Sequence, residues 1–125
     1  MSDYVISIVD DDASVRESTK NLVRSLGHNA VTYDSAEAFL EKGDAEGTAC
    51  LIADVQMPGM TGLQLQSRLI ERGHRVPMIL ITAYPEPRVR DQALAAGALG
   101  FLSKPFNDES LITCIDEAIA LRGAA

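Results

Sequence analysis

Apolar positions along the chain follow two alternating rhythms. Tyr4-Val5-Ile6-Ser7-Ile8-Val9 is rich in β-branched residues and stops at Asp10-Asp11-Asp12. A short apolar block ended by polar residues predicts a strand. From Ser14 the spacing changes, and Val15, Thr19, Leu22, Val23 and Leu26 recur as one helical face until Gly27. Asn29 to Tyr33 predicts a second strand. Ser35 supplies an N-cap oxygen for a helix carrying Ala36, Phe39 and Leu40, which ends at Gly43. Asp44 to Thr48 reads as polar loop.

The third block, Ala49 to Ala53, is apolar at every position and runs straight into Asp54. An unbroken apolar run of this length predicts a strand buried on both faces. Pro58, Gly59 and Gly62 then mark a turning loop. Leu63, Leu65, Leu69 and Ile70 predict a third helix closed by Gly73. Pro77 opens a fourth strand, Met78-Ile79-Leu80-Ile81, which ends at Thr82. Pro87 suits a first helical position, and Val89, Ala93, Leu94 and Ala96 give the fourth helix its face up to Gly97. Leu99 to Leu102 is a short fifth strand leading to Ser103-Lys104-Pro105. Asn107 caps a fifth helix with Asp108 and Glu109 in its first turn, where the helix dipole favours acids. Its apolar face is Leu111, Ile112, Ile115, Ala118 and Ile119.

Strict strand–helix alternation implies an α/β fold with a parallel sheet covered by helices on both faces. Right-handed crossovers leave few arrangements, and the flavodoxin-like order 2-1-3-4-5 is the expected one. At 125 residues the chain is read as a single domain, residues 1–125. Its 18 acidic against 11 basic residues give a net charge of −7, which argues against unaided contact with nucleic acid. The apolar runs are shorter than a membrane span, and Met1-Ser2-Asp3-Tyr4 lacks a basic signal-peptide opening, so a cytoplasmic location is expected. Cys50 and Cys114 lack metal-ligand spacing and read as buried free thiols. His28 and His74 lie beside glycines in predicted loops with no ligand partner, and neither supports a site.

The polar residues that end the apolar strands change the picture. Asp10 and Asp11 follow strand one, Asp54 strand three, Thr82 strand four and Lys104 strand five. In the expected order these strands are consecutive neighbours about 4.8 Å apart. Ligands of open parallel sheets bind beyond the carboxyl ends of the strands, where these side chains share one rim. Carboxylates so close repel unless a cation intervenes. Lys104 offsets one charge, and a hard divalent cation with oxygen ligands, Mg²⁺ or Mn²⁺, offsets the rest. A nucleophilic carboxylate, a metal, an ammonium and a hydroxyl are the parts that stabilise a transferring phosphoryl group.

Val9-Asp10-Asp11, Asp54-Val55-Gln56-Met57-Pro58-Gly59, Thr82-Ala83 and Lys104-Pro105-Phe106 together resemble the receiver domain of two-component response regulators, whose fold is CheY-like. The resemblance spans essentially the whole chain. Lys104-Pro105-Phe106 and Ser35-Ala36-Glu37-Ala38-Phe39-Leu40 look most like the FixJ-like branch, where a helix-turn-helix DNA-binding domain commonly follows. The resemblance implies that Asp54 accepts a phosphoryl group from the phosphohistidine of a sensor histidine kinase. It implies metal ligation by Asp10, Asp11, Asp54 and the backbone carbonyl of Gln56. Thr82, the Ala83 backbone N–H and Lys104 are implied to hold the phosphoryl oxygens, and Lys104-Pro105 resembles a bond that is usually cis in the family. Phe101 falls at the switch-aromatic position, against the plainer reading of a core phenylalanine. The implied output is a changed helix 4–strand 5–helix 5 surface, self-association through it, and transcriptional control of an effector. On this reading the chain is no enzyme beyond its own phosphoryl transfer and slow autodephosphorylation.

Other readings attach to the same residues. Asp12 is expected to cap helix one in preference to binding metal. Met57 and Met60 are expected to fill the loop, and Gln56 and Tyr84 to flank the pocket. The alternative to a receiver is a haloacid-dehalogenase-type phosphatase using Asp10 and Asp12 as nucleophile and acid, with Thr82 and Lys104 as later motifs. The close at Leu121-Arg122-Gly123-Ala124-Ala125 fits either a single-domain terminus or a boundary before an effector domain.

Overall fold

In the computed structural model, which describes residues 4–124, the apolar blocks form one parallel sheet in the order β2-β1-β3-β4-β5. The elements run β1 (Val5–Val9), α1 (Ala13–Ser25), β2 (Asn29–Tyr33), α2 (Ala36–Lys42), β3 (Thr48–Asp54), α3 (Gly62–Glu71), β4 (Met78–Thr82), α4 (Pro87–Ala95), β5 (Gly100–Ser103) and α5 (Asp108–Ala124). All of β3 is buried, as the unbroken apolar run required, whereas no residue of the edge strand β2 is fully buried.

Alternation along each strand sends side chains to two separate cores. Ile6, Ile8, Cys50, Ile52, Ile79 and Ile81 meet Val23 of α1 and Leu111, Ile115 and Ala118 of α5. Val9, Leu51, Ala53 and Leu80 meet Phe39 of α2, Leu65 and Leu69 of α3, and Ala93 of α4. Burying each large aliphatic or aromatic side chain contributes about 1.5–3 kcal/mol, so these two layers supply the main drive to fold.

Local chemistry sets where each helix begins. Asp12 caps α1, its Oδ1 accepting from the Ser14 and Val15 N–H groups at 2.8 and 3.3 Å. Ser35 caps α2 through the Ala38 N–H at 3.0 Å. Thr61 and Gln64 form a reciprocal capping box on α3. Helix α4 has Pro87 in its first turn but no side-chain cap, and only Ala93 along it is buried.

Several expectations shift in register. Ile70 and Leu94, expected on buried faces, are 51% and 38% exposed, and Ala96 is exposed as well. In α3 the buried stripe instead takes Gln66, whose Nε2 donates to the Ala93 carbonyl at 3.1 Å and ties α3 to α4. Because α4 rests on Ala93, Leu94 is turned one residue, about 100°, away from the contact. Strand β3 begins one residue early at Thr48, since its hydroxyl pairs with Ser7 Oγ at 2.9 Å and satisfies both buried groups. Strand β5 is Gly100–Ser103, not Leu99 to Leu102. Gly100 belongs to it because α5 packs on the bare backbone: a Cβ there would stand 2.7 Å from Cys114 Sγ. Cys50 is buried and its thiol is pushed up to about 12 by burial and by Cys114, while Cys114 itself is only half-buried.

Replacing Gln66 with Met keeps the volume and removes the tie to α4. The Ala93 carbonyl keeps its bond from the Ala98 N–H, so the expected loss is about 1 kcal/mol in denaturant unfolding. Faster amide exchange should appear along α4, and unchanged exchange there would mean that the tie does not hold the helix.

Candidate functional site

The sheet register brings the strand ends together. Val9 lies beside Ala53, Asp54 beside Ile81, and Thr82 beside Ser103. Asp10 and Asp54 are therefore lateral neighbours, 3% and 5% exposed. Their carboxylate oxygens and that of exposed Asp11 lie within 4.8 Å of one another. Lys104 Nζ reaches across from the end of β5, donating to Asp10 Oδ2 at 3.1 Å and lying 3.3 Å from Asp54 Oδ2. Asp10 and Lys104 are separated by 94 positions in the chain. The Lys104 backbone N–H bonds to the Thr82 carbonyl at 2.8 Å, and the Lys104–Pro105 peptide is cis.

Burial raises the Asp54 carboxyl above its ordinary value, and the Asp10 charge raises it further. Lys104, and more weakly the Gln56 backbone N–H, offset part of this. For Lys104, burial alone would lower the ammonium, but its bonds and charge contacts with Asp10 and then Asp54 prevail and raise it. Burial and Asp10 thus work against the charge on Asp54, and Lys104 works for it. Asp54 Oδ1 is buried with no hydrogen-bond partner.

That orphaned oxygen tests the expected metal. A buried acceptor without a donor is costly, and a cation answers it where a proton donor is absent. Three carboxylates around a single lysine leave excess negative charge on hard oxygen donors, the chemistry that Mg²⁺ or Mn²⁺ takes. The residues fit the ion.

The backbone around Asp54 is packed closely. Gly62 opens α3 with its N–H on the Val55 carbonyl at 3.0 Å, and a Cβ at Gly62 would stand 2.5 Å from the Asp54 carbonyl oxygen. Asp10 Oδ1 accepts the Asp12 N–H at 2.9 Å, and Arg16 Nη1 donates to the Asp10 carbonyl at 2.7 Å. Thr82 is fully buried, and Ala83 beside it is exposed and carries only a methyl side chain. Phe101 is half-buried against the α2–α3–α4 core. It pairs with Leu80, so it shares a sheet face with Thr82.

Three contacts were not foreseen. The Gln56 side chain accepts the Thr82 hydroxyl at 2.6 Å. Glu37 Oε2 accepts the Met60 N–H at 3.2 Å and so pins the loop after Asp54 to α2. Arg16 reaches the Asp10 backbone from α1. Each joins residues whose neighbourhood depends on how elements pack, and no local pattern marks them. Met57 is buried as loop filling, and Tyr84 is 70% exposed at the rim. A groove of about 530 Å³ at the amino ends of β4 and β5, lined by Leu69, Ile70, Pro77 and Leu121, contains none of these residues.

Comparison with known proteins decides the family. Residues 6–116 match the model of the response regulator receiver domain. The chain belongs to this family. The receiver is 42% identical to the response regulator protein TmoT of Ectopseudomonas mendocina, over 94% of this chain and 53% of TmoT. It is 34% identical to the transcriptional regulatory protein FixJ of Bradyrhizobium diazoefficiens, over 91% of this chain and 56% of FixJ. The solved response regulator StyR superposes with a TM-score of 0.91 at 38% identity, covering 98% of this chain and 62% of StyR. The receiver spans about half the length of the curated relatives it matches.

Receiver domains are signalling switches that respond to phosphorylation, not enzymes acting on a separate substrate. The phosphatase alternative is corrected accordingly. It required Asp12 to act as acid, but the Asp12 carboxylate is spent on the first turn of α1. Among the described residues no helix is long and apolar enough to cross a membrane.

Proposed function

We propose that this receiver takes a phosphoryl group on Asp54 from the phosphohistidine of a sensor histidine kinase and passes the change to an effector. The observation that carries the reading is the placement of Asp54. It lies beside Asp10, Asp11 and Lys104, yet keeps one buried oxygen, Oδ1, free of any donor. In the step itself an Asp54 carboxylate oxygen attacks phosphorus. The P–O bond forms as the P–N bond breaks, and the imidazole nitrogen leaves with the bonding pair. The product is an acyl phosphate, which water later hydrolyses to restore the carboxylate.

Asp10, Asp11, Asp54 and the Gln56 backbone carbonyl are the groups to hold Mg²⁺. The ion, when bound, neutralises charge on the phosphoryl oxygens as they cross. Lys104 exchanges carboxylate partners for a phosphoryl oxygen, and the Thr82 hydroxyl and Ala83 N–H supply two further donors. Each such charge-assisted bond contributes roughly 1.5–3 kcal/mol. Together they approach the about 5.5 kcal/mol needed to move a switch from 1:99 to 99:1. As Thr82 moves toward the phosphoryl group, Phe101 on the same face turns inward, and the α4–β5–α5 surface changes. The consequence is homodimerisation through that surface and transcriptional control by a DNA-binding partner domain, as the names of TdiR and FixJ as transcriptional regulatory proteins suggest.

Incubation with acetyl phosphate and Mg²⁺ tests this by intact mass. A single added phosphate, labile to hydroxylamine and mapping to Asp54, supports the reading; a label elsewhere removes it. Metal alone has a separate readout. At ten times its Kd, Mg²⁺ should stabilise the fold by about 1.4 kcal/mol, and Asp11→Asn should abolish most of that gain in thermal melts. An equal gain in Asp11→Asn would take Asp11 out of the ligand set.

A further inference from the structure

We infer that the Gln56 side chain latches Thr82 in its resting position, a positioning role that rests on the phosphoswitch reading above. The Thr82 hydroxyl is fully buried and carries a single proton. That proton goes to Gln56 Oε1 at 2.6 Å, while Thr82 Oγ1 itself accepts the Tyr84 N–H at 3.0 Å. The hydroxyl therefore has no proton left for a phosphoryl oxygen on Asp54. To donate there, Thr82 must release Gln56.

The carboxamide and the phosphoryl group compete for one donor, so the position of that competition is the position of Thr82. An anionic oxygen is the stronger acceptor, which sets the direction of exchange once Asp54 is phosphorylated. Release is inexpensive because Gln56 is exposed, and water takes the place of the hydroxyl at Oε1. The same solvent access makes the latch reversible when the phosphoryl group is lost. Residue 56 follows Asp54 by two positions, so the latch is built into the loop that leaves the acceptor strand. Its partner comes from the end of β4, 26 positions away. Phe101 shares the Thr82 face of the sheet, so a held Thr82 also holds the ring in its resting place.

The test is a double-mutant cycle read by affinity for beryllofluoride, an inert stand-in for the phosphoryl group, in saturating MgCl₂. Gln56→Met keeps the side-chain length and removes the oxygen acceptor. Its site is exposed, and circular dichroism checks that the fold is intact. With Thr82 present, Gln56→Met should bind beryllofluoride about three- to tenfold more tightly, the value of one ordinary hydrogen bond. In a Thr82→Val background the same change should alter affinity by less than about twofold, since there is no hydroxyl to release. The Thr82 methyl resonance should shift toward its beryllofluoride-bound position in ligand-free Gln56→Met. Unchanged affinity in Gln56→Met, or an equal gain in the Thr82→Val background, overturns the latch while leaving the switch intact. Failure of the wild-type chain to bind beryllofluoride overturns the switch reading and the latch with it.

Discussion

An Asp54→Asn receiver should take up no phosphoryl group and, in the absence of metal, should be more stable than the wild type. The first effect is complete because the amide has neither the charge nor the nucleophilic oxygen that forms an acyl phosphate. Lys104, Thr82 and the remaining acids stay in place, so uptake from acetyl phosphate should fall to the background of the unlabelled chain. The second effect follows from geometry. Asp54 is 5% exposed and shares its surroundings with Asp10, and one lysine serves both.

The sign follows from protons. Burial and then Asp10 raise the folded-state carboxyl of Asp54 above its unfolded value. Between those two values the native state holds more protons than the unfolded chain, so stability falls as pH rises through this window. The cost is present above the folded value and is relieved as pH drops from there through the unfolded one. Asn removes it, with an expected gain of about 1–2 kcal/mol at pH 7 in EDTA that is smaller at pH 4. Denaturant titrations at the two pH values measure it. Equal stabilities at pH 7 would mean that Lys104 already neutralises the cluster.

Lys104→Ala should have the opposite sign and a larger size. The ammonium bonds Asp10 Oδ2 and Asp54 Oδ2 together, and its removal leaves two buried carboxylates side by side without a counter-charge. Breaking a buried ion pair from one side costs about 3–5 kcal/mol. The Lys104 side chain is 20% exposed, so the expected loss lies near about 3 kcal/mol at pH 7 in EDTA. Its own raised value means that its stabilisation is present below the unfolded lysine value and is lost only as pH rises above it. Neutral pH therefore reports its full contribution. In the variant, part of the loss should return as pH falls and a carboxylate takes a proton, and part should return with Mg²⁺. A loss that neither acid nor metal relieves would show that the lysine stem, not its charge, holds the strand ends. In the same variant beryllofluoride should still bind, weakly, but drive less dimerisation than in the wild type. Undiminished dimerisation would take Lys104 out of the proposed coupling.

Much of this architecture was legible in the order of residues alone. The unbroken run from Ala49 into Asp54 can only be a strand shielded on both sides, which requires helices above and below it. Strict alternation then leaves few sheet orders, and the observed 2-1-3-4-5 is the one expected. Because parallel strands all end at the same edge, the polar residues after β1, β3, β4 and β5 were bound to meet. Caps at Asp12, Ser35 and Asn107 were equally readable, since each bonds N–H groups only two or three residues ahead.

The limits of that reading have an equally physical cause. Periodicity locates an apolar stripe only to within one residue, about 100° of helix. It placed Ala93 inward correctly but Ile70 and Leu94 as well, and it passed over Gln66, which bonds the Ala93 carbonyl and ties α3 to α4. Strand limits at Thr48 and Gly100 depend on partners across the sheet and on α5, which propensity does not see. Local sequence determined the elements, their order and the identity of the reactive edge, because hydrogen bonds and hydrophobic alternation act over a few residues. Tertiary structure alone decided which oxygen of Asp54 stays unpaired, that one lysine spans two acids, and that Gln56 holds the proton of Thr82. Those are distances between atoms brought together from separate strands, and only the packed sheet sets them.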